Sequence, residues 1–277
     1  MSRVWINGAL VDGADAVVPY DDHGITVGDG VFETIKLAGG VPFALGEHLE
    51  RLDRSVAALR LEPVDRPMLV DAIDAVVAAH ESDQDGDGFL RVTVTAGRGP
   101  LGSPRGAADQ TVIVAVRPGL VRTDPTAVHL VPWTRNEQGP LAGVKSTSYA
   151  ENVVALDVAL AHGASEALFA NTAGALCEGT GANVFVVLDD RLVTPPLRSG
   201  CLAGVTRALL LDLLGDTADE ADVPMARLAE VTEVFLVSTA REVQPVTTIT
   251  GLAHELLLTQ PGPLTAAARA TWVAQFG

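Results

Sequence analysis

The sequence predicts two domains, an α+β domain in the N-terminal half and an α/β domain in the C-terminal half. Short β-rich runs and two amphipathic helical patterns fill the first 117 residues, whereas helix and strand patterns alternate from residue 142 onward. Between them, residues 118–141 are rich in proline and polar side chains, which is typical of a connection. The predicted boundaries are therefore 1–117, 118–141 and 142–277.

Turn residues and apolar periodicity predict the N-terminal elements. Asn7-Gly8 interrupts VWINGALVD and predicts a hairpin, because both residues accept the positive φ of a tight turn. Gly39-Gly40 separates two further short strands. Apolar residues at helical spacing predict two helices, and β-rich composition predicts two strands. These are helices 47–61 and 67–80 and strands 89–97 and 110–118.

The C-terminal half is predicted from a regular alternation of patterns. A turn at NTAG follows the first strand, and Asp189-Asp190 predicts a hairpin between two others. The sequence contains no internal repeat and no low-complexity tail. We expect helices at 149–162 and 205–214 and strands at 166–171, 183–188 and 231–239.

The composition predicts a globular chain in a reducing compartment. Hydrophobic residues make up 48% and charged residues 19% of the chain, which argues against disorder. The net charge of −16 argues against a nucleic-acid partner, since that binding needs clustered Lys and Arg. We see neither an apolar run of about 20 residues that could span a bilayer nor a secretory signal. We therefore expect a cytoplasmic protein without a membrane partner, with Cys177 and Cys201 as buried thiols.

The acidic run SDQDGDG at 82–88 has the opening spacing of a calcium-binding loop. Asp83, Asp85 and Asp87 would be its first ligands. The twelfth position of such a loop requires a bidentate glutamate, and Val94 stands there. We interpret the run as a solvated turn and expect no metal site.

Lys145 is one of only two lysines in a chain with 17 arginines. Arginine stays protonated, whereas a buried lysine amine can lose its proton and form a Schiff base with a carbonyl. Lys36, on a predicted strand, receives the ordinary interpretation of a solvent-facing charge. Lys145 is followed 33 residues later by Glu178, among small residues that let a ligand approach the backbone.

Two later segments fit a phosphate group. CLAGVTRALLL runs from a glycine into an apolar helix, so the amides of Val205 and Thr206 are expected at a helix N-terminus, where anions bind. VSTAREVQP places the hydroxyls of Ser238 and Thr239 just after an apolar strand. Together with Lys145 and Glu178, these groups form a consistent set of ligands.

Several motifs occur together and in one order: DHGITVGDGVFET, EHLERL, Lys145, EGTGANVF, LAGVTR and STAREVQPV. In this set the chain resembles the fold-type IV pyridoxal-phosphate enzymes, which include branched-chain aminotransferases, D-amino acid aminotransferases and aminodeoxychorismate lyase. The resemblance covers nearly the whole chain. It implies a two-domain, D-amino acid aminotransferase-like fold with the active site at the domain interface, pyridoxal 5'-phosphate as cofactor, and a homodimer.

The resemblance also implies roles for the matching residues. Lys145 would form the Schiff base with the cofactor and then shuttle protons as the catalytic base. Glu178 would pair with the pyridine nitrogen and keep it protonated, so that the ring accepts electrons. The remaining cofactor contacts would be Arg51, Val205, Thr206 and Thr239 at the phosphate and Tyr149 at the ring or its O3′.

Departures from the family's patterns favour the lyase. D-amino acid aminotransferases hold the substrate carboxylate with a tyrosine where this chain has Phe32, and with an arginine and a histidine two residues apart, whereas GRGPLGSPRGAAD contains no histidine. Branched-chain enzymes carry a Gly-Gly-Asn-Tyr type run after the lysine, where this chain has Ser-Thr-Ser-Tyr. GDGVFET is common in the lyase. We therefore expect conversion of 4-amino-4-deoxychorismate to 4-aminobenzoate and pyruvate, a step of folate precursor synthesis.

Substrate recognition by the lyase would require arginines, because its substrate carries two carboxylates. Arg91, Arg98 and Arg105 are equivalent candidates at this level, with Thr26 and Phe32 in the pocket wall. The main alternative is an aminotransferase acting on branched-chain L-amino acids, D-amino acids or amines. A catalytically silent binding protein is a further alternative, but it would have no need of the imine lysine.

Overall fold

The computed structural model describes residues 3–81, 86–107, 109–119, 121, 123–259 and 261–277. The chain divides into two compact units. The first comprises Met1–Leu120 and Val144–Tyr149, and the second comprises Val121–Gly143 and Ala150–Gly277. The segment with Lys145 thus belongs to the first unit, whereas the predicted boundaries place it in the C-terminal domain. Those boundaries stay a prediction.

The first unit is built on an antiparallel sheet with helices packed against it. Its strands are β1 (Arg3–Ile6), β2 (Ala9–Asp12), β3 (Gly30–Ala38), β4 (Val41–Pro42), β5 (Gly88–Thr95) and β6 (Thr111–Arg117). Its helices are α1 (His23–Thr26), α2 (Leu45–Ala58) and α3 (Arg66–Glu81). Over the described residues the strand order is β2-β1-β6-β5-β3-β4.

The core of the first unit lies between the sheet and the apolar sides of α2 and α3. Leu52 of α2 and Ile73 of α3 are fully buried, together with Ile35 of β3 and Leu90 of β5. The hairpin at Asn7-Gly8 is confirmed, since β1 pairs with β2 across it and the two residues have φ of 47° and 96°. The sheet therefore fixes β3 and β5, which carry residues of the candidate site.

The second unit contains a larger mixed sheet. Its strands are β7 (Thr126–Arg135), β8 (Glu166–Asn171), β9 (Leu176–Gly179), β10 (Asn183–Leu188), β11 (Arg191–Thr194), β12 (Ala218–Glu220), β13 (Glu233–Ser238), β14 (Glu242–Thr250) and β15 (Leu256–Leu257). Its helices are α4 (Ala150–Ala161), α5 (Val205–Leu214) and α6 (Pro263–Phe276). In the described part of the chain the strand order is β12-β11-β10-β13-β14-β7-β8-β9, and β15 pairs with β14.

Strand β7 lies inside the stretch 118–141 that the composition predicts as a connection. It runs parallel to both β14 and β8. Its pairing with β8 shifts register between Leu130 and Thr134, so Pro132 falls where the ladder is irregular and the missing N–H is tolerated. The proline made a strand look like a loop in the sequence. Helix α6 was also not predicted.

Two negative findings apply to the described residues. No helix there is both long and apolar enough to cross a membrane. No group of three or more His, Cys, Asp or Glu side chains in the same residues could hold a metal ion. Asp83 and Asp85 of the calcium-like run lie outside the described residues.

Candidate active site

Lys145 lies on a segment that pairs with the start of β3. The amide of Phe32 donates to the carbonyl of Lys145 at 3.0 Å, and the amide of Thr147 donates to the carbonyl of Gly30 at 2.7 Å. This pairing holds the Nζ of Lys145 4.2 Å from the centre of the Phe32 ring. The amine is therefore positioned by a sheet rather than by a surface loop.

Two glycines of the GDG motif allow the lysine segment to approach. Gly28 has φ of +69°, and a Cβ there would lie 2.6 Å from the Oγ of Ser148. A Cβ on Gly30 would lie 2.7 Å from the carbonyl oxygen of Val94 and 3.0 Å from the Oγ1 of Thr147. The hydroxyls of Thr147 and Ser148 both donate to the carbonyl of Gly28, at 2.9 Å. The two glycines of the motif thus leave room for the backbone that follows Lys145, and the carbonyl of Gly28 holds it by hydrogen bonds.

Phe32 is the centre of a cluster of candidate site residues. Phe32 is buried, and the guanidinium carbon of Arg91 lies 3.4 Å from its ring centre. Lys145 contacts the same ring. The Tyr149 ring meets it edge-on, with centroids 5.3 Å apart. Cations are attracted to an aromatic face. The structure therefore brings together four of the predicted residues: Lys145, Phe32, Arg91 and Tyr149.

Arg51, the predicted phosphate ligand, is buried with Glu33 and His48. Its Nε and Nη2 donate to the two carboxylate oxygens of Glu33 at 2.7 and 2.6 Å. Nδ1 of His48 lies 2.8 Å from the same carboxylate. Burial opposes ionisation of Glu33, but the hydrogen bonds from Arg51 and His48 outweigh it and lower the pKa of Glu33 to about 2. Glu33 therefore stays ionised and fixes the orientation of Arg51.

His48 is electrostatically linked to the lysine. Burial lowers the pKa of His48, Glu33 opposes this, and the positive charges of Arg51 and Lys145 add to the lowering. The ring of His48 is almost completely buried, with 1% of its surface exposed. Lys145 and the predicted phosphate ligand therefore belong to one charged neighbourhood within the first unit.

Arg98 and Arg105 are paired with aspartates near the start of the chain. Nε of Arg98 donates to Asp21 at 2.9 Å, and Arg105 donates to both carboxylate oxygens of Asp29 at 2.6 and 2.7 Å. These pairs tie the loop after β5 to the segment before β3. Of the three candidate arginines, Arg91 is the one that contacts Phe32.

Thr26, a predicted wall residue, forms the end of the short helix α1. Its hydroxyl donates to the carbonyl of Asp22 at 3.2 Å. The carboxylate of Asp22 caps the same helix at Gly24, at 2.7 Å. These bonds give the hydroxyl of Thr26 a structural role.

Glu178 lies on β9 in the second unit. Its Oε2 accepts a hydrogen bond from the amide of Leu202 at 2.9 Å, and its Oε1 lies 3.9 Å from an Nη of Arg135. Arg135 in turn stacks on Phe169, 4.4 Å from the ring centre. The sequence does not single out Arg135, because Arg135 ends β7 and this strand lies in the stretch predicted as a connection. A prediction of β7 as a strand would have placed Arg135 beside β8 and β9.

The N-terminus of α5 suits an anion. Gly204 is its N-cap and supplies no side-chain cap to the first-turn amides of Val205 and Thr206. A Cβ at Gly204 would collide with Oδ1 of Asn183, so a capping side chain cannot replace it without rearrangement. Thr239 lies in the turn between β13 and β14, and its side chain is half-buried.

Each of the two units holds donors that fit part of pyridoxal phosphate chemically. A guanidinium, helix N-terminal amides and a hydroxyl suit a phosphate dianion. A carboxylate suits a protonated ring nitrogen, and an amine on a rigid segment suits an aldehyde. The residues concerned are Arg51, Val205, Thr206, Thr239, Glu178 and Lys145.

A family model described as amino-transferase class IV matches residues 30–249. The chain belongs to this family. Class IV aminotransferases use pyridoxal phosphate, so the chain is a pyridoxal-phosphate-dependent enzyme. This confirms the family and the cofactor that the motifs predict.

Curated relatives of this class IV chain include both aminotransferases and a lyase. A putative branched-chain-amino-acid aminotransferase of Methanocaldococcus jannaschii is 35% identical over 90% of this chain and 88% of its own length. A D-alanine aminotransferase of Bacillus licheniformis is 30% identical, over 95% of this chain and 93% of its own. An aminodeoxychorismate lyase of Bacillus subtilis is 28% identical, over 89% of this chain and 86% of its own.

Solved structures confirm the fold-type IV fold. A branched-chain aminotransferase from Thermoproteus uzoniensis, solved with norvaline, has a TM-score of 0.88 and 29% identity over 99% of this chain and 94% of its own. The pyridoxal-phosphate-bound form of a hypothetical aminotransferase from Mycobacterium tuberculosis has a TM-score of 0.85 and 26% identity over 99% of each chain. Lyase and aminotransferase share this fold, so the likeness does not separate the two reactions.

Proposed function

We propose that this class IV enzyme is an aminotransferase for L-amino acids that carry one carboxylate and an apolar side chain. The observation that carries the proposal is the cluster on Phe32, where Arg91 lies 3.4 Å and Lys145 4.2 Å from the ring centre. An arginine on the same ring as the reactive amine suits a substrate carboxylate. The buried ring of Phe32 gives this neighbourhood an apolar character that suits an apolar side chain.

The charges around the cluster favour a monocarboxylate over the dicarboxylate substrate of the lyase. Arg98 and Arg105 are paired with Asp21 and Asp29, whereas Arg91 lies on the ring of Phe32 with Lys145. The Thermoproteus uzoniensis relative was solved with norvaline, an amino acid with one carboxylate and an apolar side chain. Phe32 replaces the tyrosine that the D-specific enzymes use, which favours L-amino acids.

Each site residue has a definite task in this proposal. The amine of Lys145 holds the cofactor and, once a substrate amine has displaced it, moves the proton at the substrate α carbon. Glu178 holds the protonated ring nitrogen, and Arg91 orients the substrate carboxylate. Arg51, Val205, Thr206 and Thr239 would hold the phosphate, and Tyr149 would contact the ring or its O3′. The bound cofactor supplies the electron sink that makes the α proton acidic.

A second candidate function is the cleavage of 4-amino-4-deoxychorismate. It is favoured by the absence of the Arg-x-His pair in GRGPLGSPRGAAD and by the 28% identical lyase of Bacillus subtilis. The same lysine would act as the base at the amine-bearing carbon. For either function we propose a homodimer, as the family resemblance implies, in the cytoplasm, as the sequence composition predicts; light scattering on the purified protein tests the dimer.

One panel of assays separates the two functions. The holoenzyme is given L-norvaline, L-leucine or D-alanine with 2-oxoglutarate, and in parallel 4-amino-4-deoxychorismate made in situ by a synthase. We expect keto acid from the two L-amino acids at rates at least tenfold above those with D-alanine and above any formation of 4-aminobenzoate. Rapid 4-aminobenzoate formation with little keto acid would overturn the aminotransferase proposal in favour of the lyase. Lys145→Ala is the blank for both.

A further inference from the structure

A buried carboxylate, Glu166, contacts two loops of the second unit that carry proposed cofactor ligands. It begins β8, and only 2% of its surface is exposed. Its Oε1 accepts hydrogen bonds from the amide of Thr180, at 2.8 Å, and from the Thr180 hydroxyl. Its Oε2 lies 3.3 Å from an Nη of Arg241. Thr180 follows Glu178 by two residues, and Arg241 follows Thr239 by two.

The loop after Glu178 is packed directly on this carboxylate. A Cβ at Gly179 would lie 2.9 Å from the Cγ of Glu166, so only a glycine fits the present spacing. On its other side the loop is held by Asn152, whose Nδ2 donates to the carbonyl of Thr180 at 2.5 Å. The backbone that leaves Glu178 is therefore fixed from two directions.

Arg241 fixes the second loop in the same way. Its Nη2 donates to the carbonyl of Ser165 at 2.7 Å, and its Nη1 donates to the Ser165 hydroxyl at 3.1 Å and to the side chain of Gln244. The amide of Arg241 donates to the carbonyl of Ser238 at 3.1 Å and closes the turn that contains Thr239. The side chain that holds this turn is itself buried.

We propose that Glu166 is a positioning residue for the cofactor, because its two oxygens set the spacing between Glu178 and the turn with Thr239. A buried ion pair contributes little net stability, since the cost of desolvating both charges offsets their attraction. The pair of Glu166 with Arg241 instead fixes the positions of the two loops, as outer groups orient the ligands of a metal. The inference rests on the proposed function, which takes Glu178 and Thr239 as ligands of the ring nitrogen and the phosphate.

The consequence is that one carboxylate acts on both ends of the cofactor. Without its charge, the contact between Glu166 and Arg241 is no longer an ion pair, and the contacts from Thr180 no longer reach an ionic acceptor. A displacement of about 1 Å in either loop is enough to degrade a bound geometry. We therefore expect cofactor affinity and the protonation of the cofactor ring to change together.

Glu166→Gln tests the inference, and Glu233→Gln is its matched control. Glu233 is a buried carboxylate of the same unit that accepts backbone hydrogen bonds at the start of α6, from Thr265 at 2.7 Å and Leu264 at 3.2 Å. Pyridoxal phosphate is titrated into each apoenzyme, and the pH dependence of the bound cofactor's absorption is recorded. We expect Glu166→Gln to weaken cofactor binding at least tenfold and to shift the pH midpoint. Glu233→Gln should lower only the urea midpoint and leave binding within twofold.

A loss of cofactor affinity in Glu166→Gln no larger than in Glu233→Gln, with an unchanged pH midpoint, would overturn the inference. If Glu166→Gln does not fold, Glu166→Asp keeps the charge and shortens the reach, and it should still weaken cofactor binding at least threefold. Failure of the proposed function is recognised separately. In that case Glu178→Gln and Thr239→Ala would themselves leave cofactor affinity and absorption unchanged.

Discussion

At the residue scale, the chemistry depends on a group that can lose its proton while it remains on the face of an aromatic ring. A lysine amine is a group of this kind, and the backbone of Lys145 is held by the start of β3. Arginine at the same position could keep the charge and the contact with Phe32 but not form the covalent bond. A comparison of lysine with arginine at position 145 therefore separates the electrostatic role of this side chain from its covalent role.

Lys145→Arg is expected to reduce turnover by at least a thousandfold while the far-ultraviolet circular dichroism and the melting temperature stay near those of the native protein. The matched control is Lys36→Arg, since Lys36 is the other lysine and lies over the ring of Phe43, 5.4 Å from its centre. That variant should keep full activity. Turnover of Lys145→Arg within tenfold of the native rate would refute the role of Lys145.

A single substitution also tests which arginine binds the substrate carboxylate. Removing a charged hydrogen-bond partner costs about 1.5–3 kcal/mol, which corresponds to a factor of about 10 to 150 in binding. Arg91→Gln should therefore raise the KM for the amino acid by at least tenfold, with the absorption of the bound cofactor unchanged. Arg98→Gln serves as the control, because Arg98 is paired with Asp21 on the surface. Equal losses from the two variants would contradict the assignment of Arg91.

At the element scale, β3 and α2 are joined by the ion pair of Glu33 with Arg51. The pKa of Glu33 is lowered from 4.5 to about 2, so the folded protein binds its proton less readily than the unfolded chain. The pair therefore contributes stability that is complete above pH 4.5 and is lost as the pH falls toward 2. By linkage this pH-dependent part is on the order of 3 kcal/mol; it counts the ionisation of Glu33 alone and leaves out the cost of burying the charge of Arg51.

Urea unfolding of the native protein and of Glu33→Gln at several pH values measures this contribution. The difference in free energy of unfolding between the two proteins should be constant from pH 5 to 7. It should shrink as the pH is lowered below 4.5. A difference that stays constant down to pH 3 would mean that Glu33 has an ordinary pKa and does not hold Arg51 as an ion pair.

At the scale of the whole molecule, an acidic chain concentrates positive charge where anions must bind. The net charge is −16, yet Arg51, Arg91 and Lys145 lie in one neighbourhood of the first unit, together with the carboxylate of Glu33 that pairs with Arg51. Clefts of one charge raise the local concentration of oppositely charged ligands. The surrounding negative charge should thus sharpen the preference for ligands that fit this one site.

The sequence predicts much of the fold because turns and motifs are local. The hairpin at Asn7-Gly8 and the helix that begins at Val205 follow from the residues themselves. Strand β7 and Arg135 were missed, because Pro132 conceals a strand whose pairing becomes visible only across the sheet. The choice among the three arginines also needed tertiary contacts, since Arg105 is paired with an aspartate 76 positions away in the chain.

The central claim is that the enzyme transfers an amino group, and a single half-reaction tests it most directly. Holoenzyme is mixed with L-norvaline without any keto acid, and the cofactor's absorption and the keto acid released are both measured. The account predicts that the cofactor converts from its aldehyde form to its amine form with about one keto acid per active site, and that Lys145→Ala does neither. A cofactor spectrum unchanged by L-norvaline, in an enzyme that turns 4-amino-4-deoxychorismate into 4-aminobenzoate, would contradict it.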